Sequence, residues 1–539
     1  MLSRNTRKIY GAHVVRSAIG RSHRRPLGGV ALSAVAFWLG SYGAANAQVI
    51  SSFTPGDLVI STVSGTTLDT ASPMTLQEFS LGAGGTSATS VGSLVLPQTT
   101  NQGGVGNSPI SGEYGSASEG ILQQSANGQY LTVMGYGVNA NTFNNAPLST
   151  YGTAALGQTT SLTGQTVTTV PRVVALIGAN GSVDTTTALT GVFNQNNPRS
   201  VATVDGKSFY VSGQGVTGDG TGGVFYATLG ATTATPINAN TTTPSGTSNP
   251  AVATETRSVE IYNGQLYVSR DFKVSGTPND ATDIRSLTGP GGTLPTSSTG
   301  LTVTRVLPSV NSVNGGNTGS IDLTAGLGNG VNNFKAPLSD PNQTNRIGKF
   351  VYLSPEEFFF ANSTTMYVAD SGQPKNGSTD AAAEGEGGLQ KWSLNTTTGV
   401  WSLDYDLVAG LGLVNNDSAN SATPTAAGVT GLFGLTGEVV GDQVELFATS
   451  YGLNELSPSF LYEITDSLSC VDSPNTQGSC SSGELFTTLV SSTPGESIRG
   501  VAFAPTPLPA SWTFMLIGLA GFGWVTLRRK PNASGLAAA

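Results

Sequence analysis

The sequence predicts an all-β fold of the propeller type, with six blades favoured, seven compatible with the count, and long Gly/Thr/Ser-rich loops between strands. Composition is the first observation. Of 539 residues 71 are Gly and only 11% are charged, while 38% are hydrophobic, against ~7% Gly and ~25% charged residues in ordinary globular chains. Scarce Lys, Glu and Arg with abundant Thr, Ser, Val and Gly argue for short strands and polar turns rather than helical bundles. The second observation is a recurring strand–turn–strand unit, clearest in residues 199–212 (RSVATVDGKSFYVS) and 257–269 (RSVEIYNGQLYVS). The third is a final strand candidate, residues 499–503, that begins like a repeat and can close onto the first strand candidate, residues 57–62.

The repeat units justify the blades in order. Asp205-Gly206 and Asn263-Gly264 tolerate the positive φ angles of a tight hairpin, and their alternating flanks supply half-buried strands. Looser copies surround Asn127-Gly128, Asn362-Ser363 and Gly441-Asp442. Outer strands follow at 223–229, 388–394 with 400–405, and 460–465 with 484–490. Turn-to-turn spacings of 78, 58, 99 and 79 residues exceed the ~40–50 of compact blades. Long inserts such as Ala231–Ser248 and Ser275–Gly300 absorb the excess. A solenoid lacks the short fixed period it would need, and a sandwich array lacks linker-separated modules; these are the rival folds.

Both ends read as addresses, dividing the chain into 1–47, 48–504 and 505–539. The first 47 residues hold seven basic residues, no acid, and an apolar stretch from Leu27 to Tyr42. With Ala45 and Ala47 before Gln48 they form a secretory signal peptide and its cleavage site. At the other end Pro507, Leu508, Pro509 and Ala510 lead into the apolar residues 511–527, followed by Arg528, Arg529 and Lys530. Seventeen mostly apolar residues reach the short limit for a membrane-spanning helix.

This tripartite tail resembles the PEP-CTERM sorting signals of exported Gram-negative bacterial proteins, as a PLPA variant in which Leu508 stands where the name-giving motif has Glu. The resemblance covers about 30 residues at the tail. It implies a membrane-embedded partner, an exosortase-type protease, and an exported product at the cell envelope, transiently or stably anchored, or in an extracellular polysaccharide matrix.

The ends also mask the charge of the body. Without them the formal charge moves from −9 to about −19, because 14 basic residues face 33 acidic ones. So acidic a body repels nucleic acid and attracts cations. Both histidines, His13 and His23, lie in the signal segment, so cleavage leaves no imidazole for Ser-His-Asp, Cys-His or HExxH chemistry. Cys470 and Cys480 are the only cysteines, and in an oxidising compartment they read as one disulfide closing a short loop.

Oxygen-rich segments at Asp219-Gly220, 279–283, 340–345 and Asn416-Asp417 make calcium the candidate cofactor, with Asp280, Asp283, Asp340 and Asn342 as candidate ligands. The segment from Asp340 imitates an EF-hand only in its first half, since Asn345 and Val351 stand where Gly and Glu are needed. Carboxylate chemistry could draw on Glu356 and Glu357, Asp370, Asp271 beside Arg270, and Glu384 with Glu386. Glu356 and Glu357 are neighbours on a strand and point to opposite faces. Arg199, Arg257 and Arg499 head equivalent units, where they pair with carboxylates between blades or bind acidic sugars. Tyr136, Trp392 and Trp401 either stack on sugars or pack in the core.

The expectation is an exported, non-enzymatic surface or matrix protein that binds glycan, such as exopolysaccharide, or protein partners through its loops. The alternatives are a calcium-dependent propeller hydrolase or lyase acting on polysaccharide or phosphate esters, and a structural surface-layer or adhesin protein. Mass spectrometry of protein from its own host is expected to find a start at Gln48 and an end within 507–510. An intact 528–530 cluster in the inner membrane would contradict release to the matrix.

Overall fold

The computed structural model describes residues 49–116, 118–216, 218–239, 255–272, 281–307, 320–322, 350–372, 387–413, 428–452, 456–470 and 484–507. They build a six-bladed β-propeller of antiparallel sheets. From the inside outward, the first blade is Glu496–Phe503, Leu58–Ser64, Thr75–Leu81 and Ala88–Val95. The second is Gln123–Gln124, Tyr130–Tyr136, Arg172–Gly178 and Val183–Leu189, extended by the short pair Ala71–Pro73 and Ser111–Glu113. The third is Pro198–Ala202, Ser208–Gly213, Gly223–Thr228 and Thr235–Ala239. The fourth is Thr256–Tyr262, Gln265–Phe272, Ala281–Thr288 and Thr302–Leu307. The fifth is Pro355–Asn362, Thr365–Asp370, Gly388–Asn395 and Val400–Leu407. The sixth is Val429–Val440, Gln443–Gly452, Phe460–Ser467 and Thr487–Ser491.

All five hairpins read from the sequence are the inner pairs of blades two to six. In the fourth blade Tyr262 pairs with Gln265 across Asn263 (φ 48°) and Gly264 (φ 73°), the left-handed pair of a two-residue hairpin turn. The ring closes as expected: Leu58, Val59 and Ile60 pair antiparallel with Phe503, Ala502 and Val501. Two stretches read as inserts contain strands instead. Thr235–Ala239 completes the third blade, and Ala281–Thr288 is the third strand of the fourth. These strands, Thr-Pro-Ile-Asn-Ala and Ala-Thr-Asp-Ile-Arg-Ser-Leu-Thr, lack the apolar alternation that marks a half-buried strand.

Blades pack face to face. Met134, Val174, Phe209, Val211 and Phe225 fill the space between the second and third blades. Ile284, Phe358, Met366, Trp392 and Trp401 do so between the fourth and fifth, so both tryptophans are packing residues. Between the fifth and sixth, the fully buried Lys391 Nζ lies 3.0 Å from Asp466 Oδ2, and Tyr405 Oη donates to Asp466 Oδ1 at 2.6 Å.

A hydroxyl on the second strand of one blade also donates to a main-chain carbonyl of the next blade's inner segment. Ser61 reaches Gly120 O (2.6 Å), Thr132 reaches Val201 O (2.6 Å), Ser212 reaches Arg257 O (2.6 Å), and Ser269 reaches Glu356 O (2.8 Å). Thr449 makes the same bond to Arg499 O across the closing blade. In the fifth blade Ala369 follows Tyr367-Val368 where the third and fourth blades read Tyr-Val-Ser. There the direction reverses, and Thr430 of the sixth blade donates to Ser371 O at 3.0 Å.

Among the described residues no helix is long and apolar enough to cross a membrane. The signal segment with Ala45, Ala47 and Gln48, the tail from Leu508 through Lys530 with its apolar 511–527, and Cys480 lie outside the described residues. Replacing Ser269 by Ala is expected to destabilise the fold by about 1–3 kcal/mol, the cost of leaving a buried carbonyl without its donor. Chemical denaturation of the variant beside the parent measures it.

Candidate ligand-binding mouth

Each inner strand starts at one end of the central tunnel, and its hairpin turn lies at the other. The starting end opens into a polar cavity of about 460 Å³. Its walls come from three loops on that side: Glu113, Ser116 and Ser118, residues 157–158 of the insert between the second and third strands of the second blade, and residues 195–197 ahead of the third blade's inner strand. Asn197 Nδ2 ties two walls together by donating to Ser116 Oγ at 2.8 Å. The Gly157 N–H donates to Glu113 Oε2. A Cβ at Gly157 would fall 2.4 Å from that oxygen and would push the Glu113 carboxylate aside.

The floor is a chain of buried charges. Arg199 Nη2 lies 2.8 Å from Glu255 Oε1 and donates to Gln214 Oε1 at 3.1 Å. Arg257 Nη2 shares the same Glu255 oxygen at 2.8 Å and lies 3.2 Å from Asp271 Oδ2, while its Nη1 lies 3.3 Å from Glu356 Oε1. One guanidinium thus ties the fourth blade to Glu356 of the fifth, and Glu255 bridges it to Arg199 of the third. The ion-pair role expected for Arg199 and Arg257 is the one they play.

Burial governs the protonation of this site. It pushes Glu113 up to about 9, helped by the charges of Glu119 and Asp69. It pushes Asp271 up to about 8 against the pull of Arg257. It raises Glu119 as well, although Tyr136 Oη donates to that carboxylate at 2.6 Å. Burial alone would lower Arg257, but Glu356, Glu255 and Asp271 outweigh it and hold the guanidinium firmly charged. Arg199 is lowered, first by burial and then by Arg257.

The other sequence candidates sit elsewhere. Asp370 ends its strand by accepting from Ser354 N (3.0 Å), Gly372 N (2.9 Å) and Gln390 Nε2 (2.8 Å), which makes it an internal brace. Glu357 turns away from Glu356, accepts from Leu435 N at 2.7 Å, and lines a second cavity of about 180 Å³ with Glu260. Burial pushes Glu260 up to about 8.

Asp283, read as a loop ligand for calcium, lies on a strand. Its Oδ1 takes Arg270 Nε at 2.6 Å, and its Oδ2 takes Arg270 Nη2 at 2.5 Å and Arg285 Nε at 2.9 Å. Burial would raise this carboxyl, but the two arginines hold it below its ordinary value. Both oxygens are therefore occupied by cations. Asp280, Asp340, Asn342, Glu384 and Glu386 lie outside the described residues. Among the described residues no three His, Cys, Asp or Glu side chains gather as a metal site.

Sequence reasoning missed Glu113, Glu255, Gln214 and Arg172. Arg172 is fully buried 4.6 Å above the Tyr136 ring, and its Nη2 donates to Thr159 O at 2.9 Å and Phe193 O at 2.8 Å. Glu255 stands two residues before Arg257, a spacing that could have flagged it; the others carry no local signal.

No family model matches the sequence, and no curated protein does. Among solved structures, a nidogen/laminin complex is 10% identical, with a TM-score of 0.36 over 83% of this chain and 98% of the other. A putative 6-phosphogluconolactonase from Bacteroides uniformis is 10% identical, at 0.33 over 77% and 80%. A hypothetical selenium-binding protein from Sulfolobus tokodaii is 8% identical, at 0.37 over 85% and 95%. The fold assignment rests on the sheets themselves, and no activity is carried over from these proteins.

Glu113, Asp271 and Glu260 each keep a proton in the folded state that the unfolded chain, with ordinary values of 4.5, 3.8 and 4.5, has already lost. Their ionisation in the unfolded state draws the equilibrium toward unfolding as pH rises from about 4, levelling off above about 8–9. Thermal midpoints are therefore expected to fall between pH 5 and pH 9, and less steeply in Glu113→Gln.

Proposed function

We propose that this chain is an exported propeller that binds a glycan at the polar mouth, and that its two terminal signals deliver it to the cell envelope or polysaccharide matrix, with an exosortase-type protease acting on the tail. The observation that carries the binding reading is the cavity of about 460 Å³, where Gln158, Gln195, Asn196, Asn197 and Gln214 stand with Ser116, Ser118 and Tyr451 over the buried arginine–carboxylate floor. Amides and hydroxyls held by a rigid scaffold offer the paired donors and acceptors that a polyol needs when it gives up water. The floor keeps the mouth from collapsing, and its charges are compensated within the protein.

A second reading, a polysaccharide hydrolase or lyase, is favoured by one feature: Glu113 lines the same cavity, with its acid form persisting up to about pH 9. A carboxylic acid that stays protonated at neutral pH can donate to a departing sugar oxygen.

One set of measurements separates the readings. Protein spanning 48–507 is titrated with neutral and acidic bacterial polysaccharides by calorimetry, with and without calcium. Asn196→Ala and Gln214→Ala are each expected to weaken binding about fivefold, the equivalent of ~1 kcal/mol for one hydrogen bond. Parent and variants binding nothing, or binding equally, would contradict the mouth as the site. Release of new chain ends from the bound polysaccharide, lost in Glu113→Gln while binding persists, would establish the second reading.

A further inference from the structure

We infer that, while the tail is intact, the propeller rests on a lipid bilayer by its hairpin-turn face, so that the polar mouth opens away from the membrane. The inference depends on the tail reading and goes beyond it by fixing an orientation.

The described chain leaves the propeller on the turn face, and it is pinned there. The innermost strand Glu496–Phe503 runs from the mouth to the turns. Beyond it Thr506 N donates to Gly128 O at 2.7 Å, and Gln124 Nε2 donates to Phe503 O (3.2 Å) and Ala504 O (3.1 Å). Gly128 belongs to the second blade's hairpin turn, whose Asn127 N in turn donates to Val204 O at 3.1 Å in the third blade's turn. The exit is therefore fixed to the second blade's turn, which is itself tied to the third's.

The length of chain that remains decides the rest. The apolar segment 511–527 starts four residues after Pro507, which span at most ~14 Å fully extended. A membrane holding that segment cannot lie farther than this from the turn face at the exit. The mouth is at the other end of an eight-residue strand, ~26 Å away at the usual rise. With the turn face held this close, the mouth faces the aqueous side.

The side chains around the exit suit such a contact. On the sixth blade, the ring neighbour of the closing blade, the hairpin tip presents Val439 and Val440, 42% and 54% exposed. On the other side of the exit Val204 is 38% exposed. The acidic body disfavours electrostatic attachment, and these valines share their turns with Asp205, Lys207 and Asp442, so the tail holds the turn face at the bilayer and salt leaves it in place.

The chain from 48 to 539 is reconstituted into phosphatidylcholine vesicles carrying acceptor dye on their headgroups. A donor dye is placed at Val440→Cys or Val204→Cys on the turn face, or at Leu456→Cys, exposed at the mouth end of the sixth blade. Flotation with the vesicles, strong energy transfer from 440 and 204, and several-fold weaker transfer from 456, all maintained in high salt, are expected. Equal transfer from the two ends, stronger transfer from 456, or failure to float would overturn the orientation. Glycan titration of the soluble 48–507 form is independent of this result, so the two readings can fail separately.

Discussion

The hydroxyl-to-carbonyl bond between blades is the interaction on which the rest of this structure depends. Hydrogen bonding within a sheet satisfies a blade's own backbone, but the inner strands crowd around a tunnel where little water can reach them. An unmet carbonyl there is costly. Ser61, Thr132, Ser212, Ser269 and Thr449 each supply the missing donor from the preceding blade. The bond therefore satisfies a buried group and sets the angular step from one blade to the next. Five junctions carry this bond and the fifth-to-sixth carries it reversed, from Thr430 to Ser371 O, and six steps return the chain to its start, where Leu58–Ile60 pair with Val501–Phe503. Closure removes the exposed edge that an open array of sheets would present.

The same crowding produces the mouth. Charged side chains at the beginnings of inner strands converge as the strands converge, and they survive burial only because cations and carboxylates alternate. Arg257 takes three carboxylates from two blades and the segment between the third and fourth, and Arg199 shares one of them. Removing a single partner from such a network strands a buried charge. Burial pushes Glu113 and Asp271 up to about 9 and about 8, so both hold protons where ordinary carboxylates have lost them. A mouth built in this way is rigid, polar and nearly compensated in charge, and the amide-rich loops above it remain available to a ligand. The exit of the chain at the opposite end leaves that mouth unobstructed.

The repeats were legible where one residue type has one structural reason. Asn263-Gly264 is a hairpin because few other pairs accept two left-handed residues, and the Tyr-Val-Ser runs ending at Ser212 and Ser269 are second strands whose serine has a fixed partner. Arg199 and Arg257 were legible as strand heads and as ion-pairing residues. Thr235–Ala239 and Ala281–Thr288 were not, because neither carries an apolar alternation: Ile237 stands alone in the first, and Ile284 and Leu287 are three apart in the second. Asp283 looked like a calcium ligand in a loop because its neighbours are small and polar. Arg285, two residues on, shares its strand face, but Arg270 pairs with it only once the strands are in register.

The sequence alone determined the class of fold, the hairpins, the closure of last strand on first, and the cationic ends that frame an acidic body. Those properties follow from local preference and composition, which act over a few residues or over the whole chain at once. Tertiary structure alone decided which charges meet. Glu113, Glu255, Arg257 and Glu356 are separated by up to 243 positions in the chain, and only the convergence of inner strands around one axis brings them to a single cavity floor and wall. Tertiary structure also decided that the chain leaves on the face opposite that cavity, because strand direction in a closed ring fixes both ends at once.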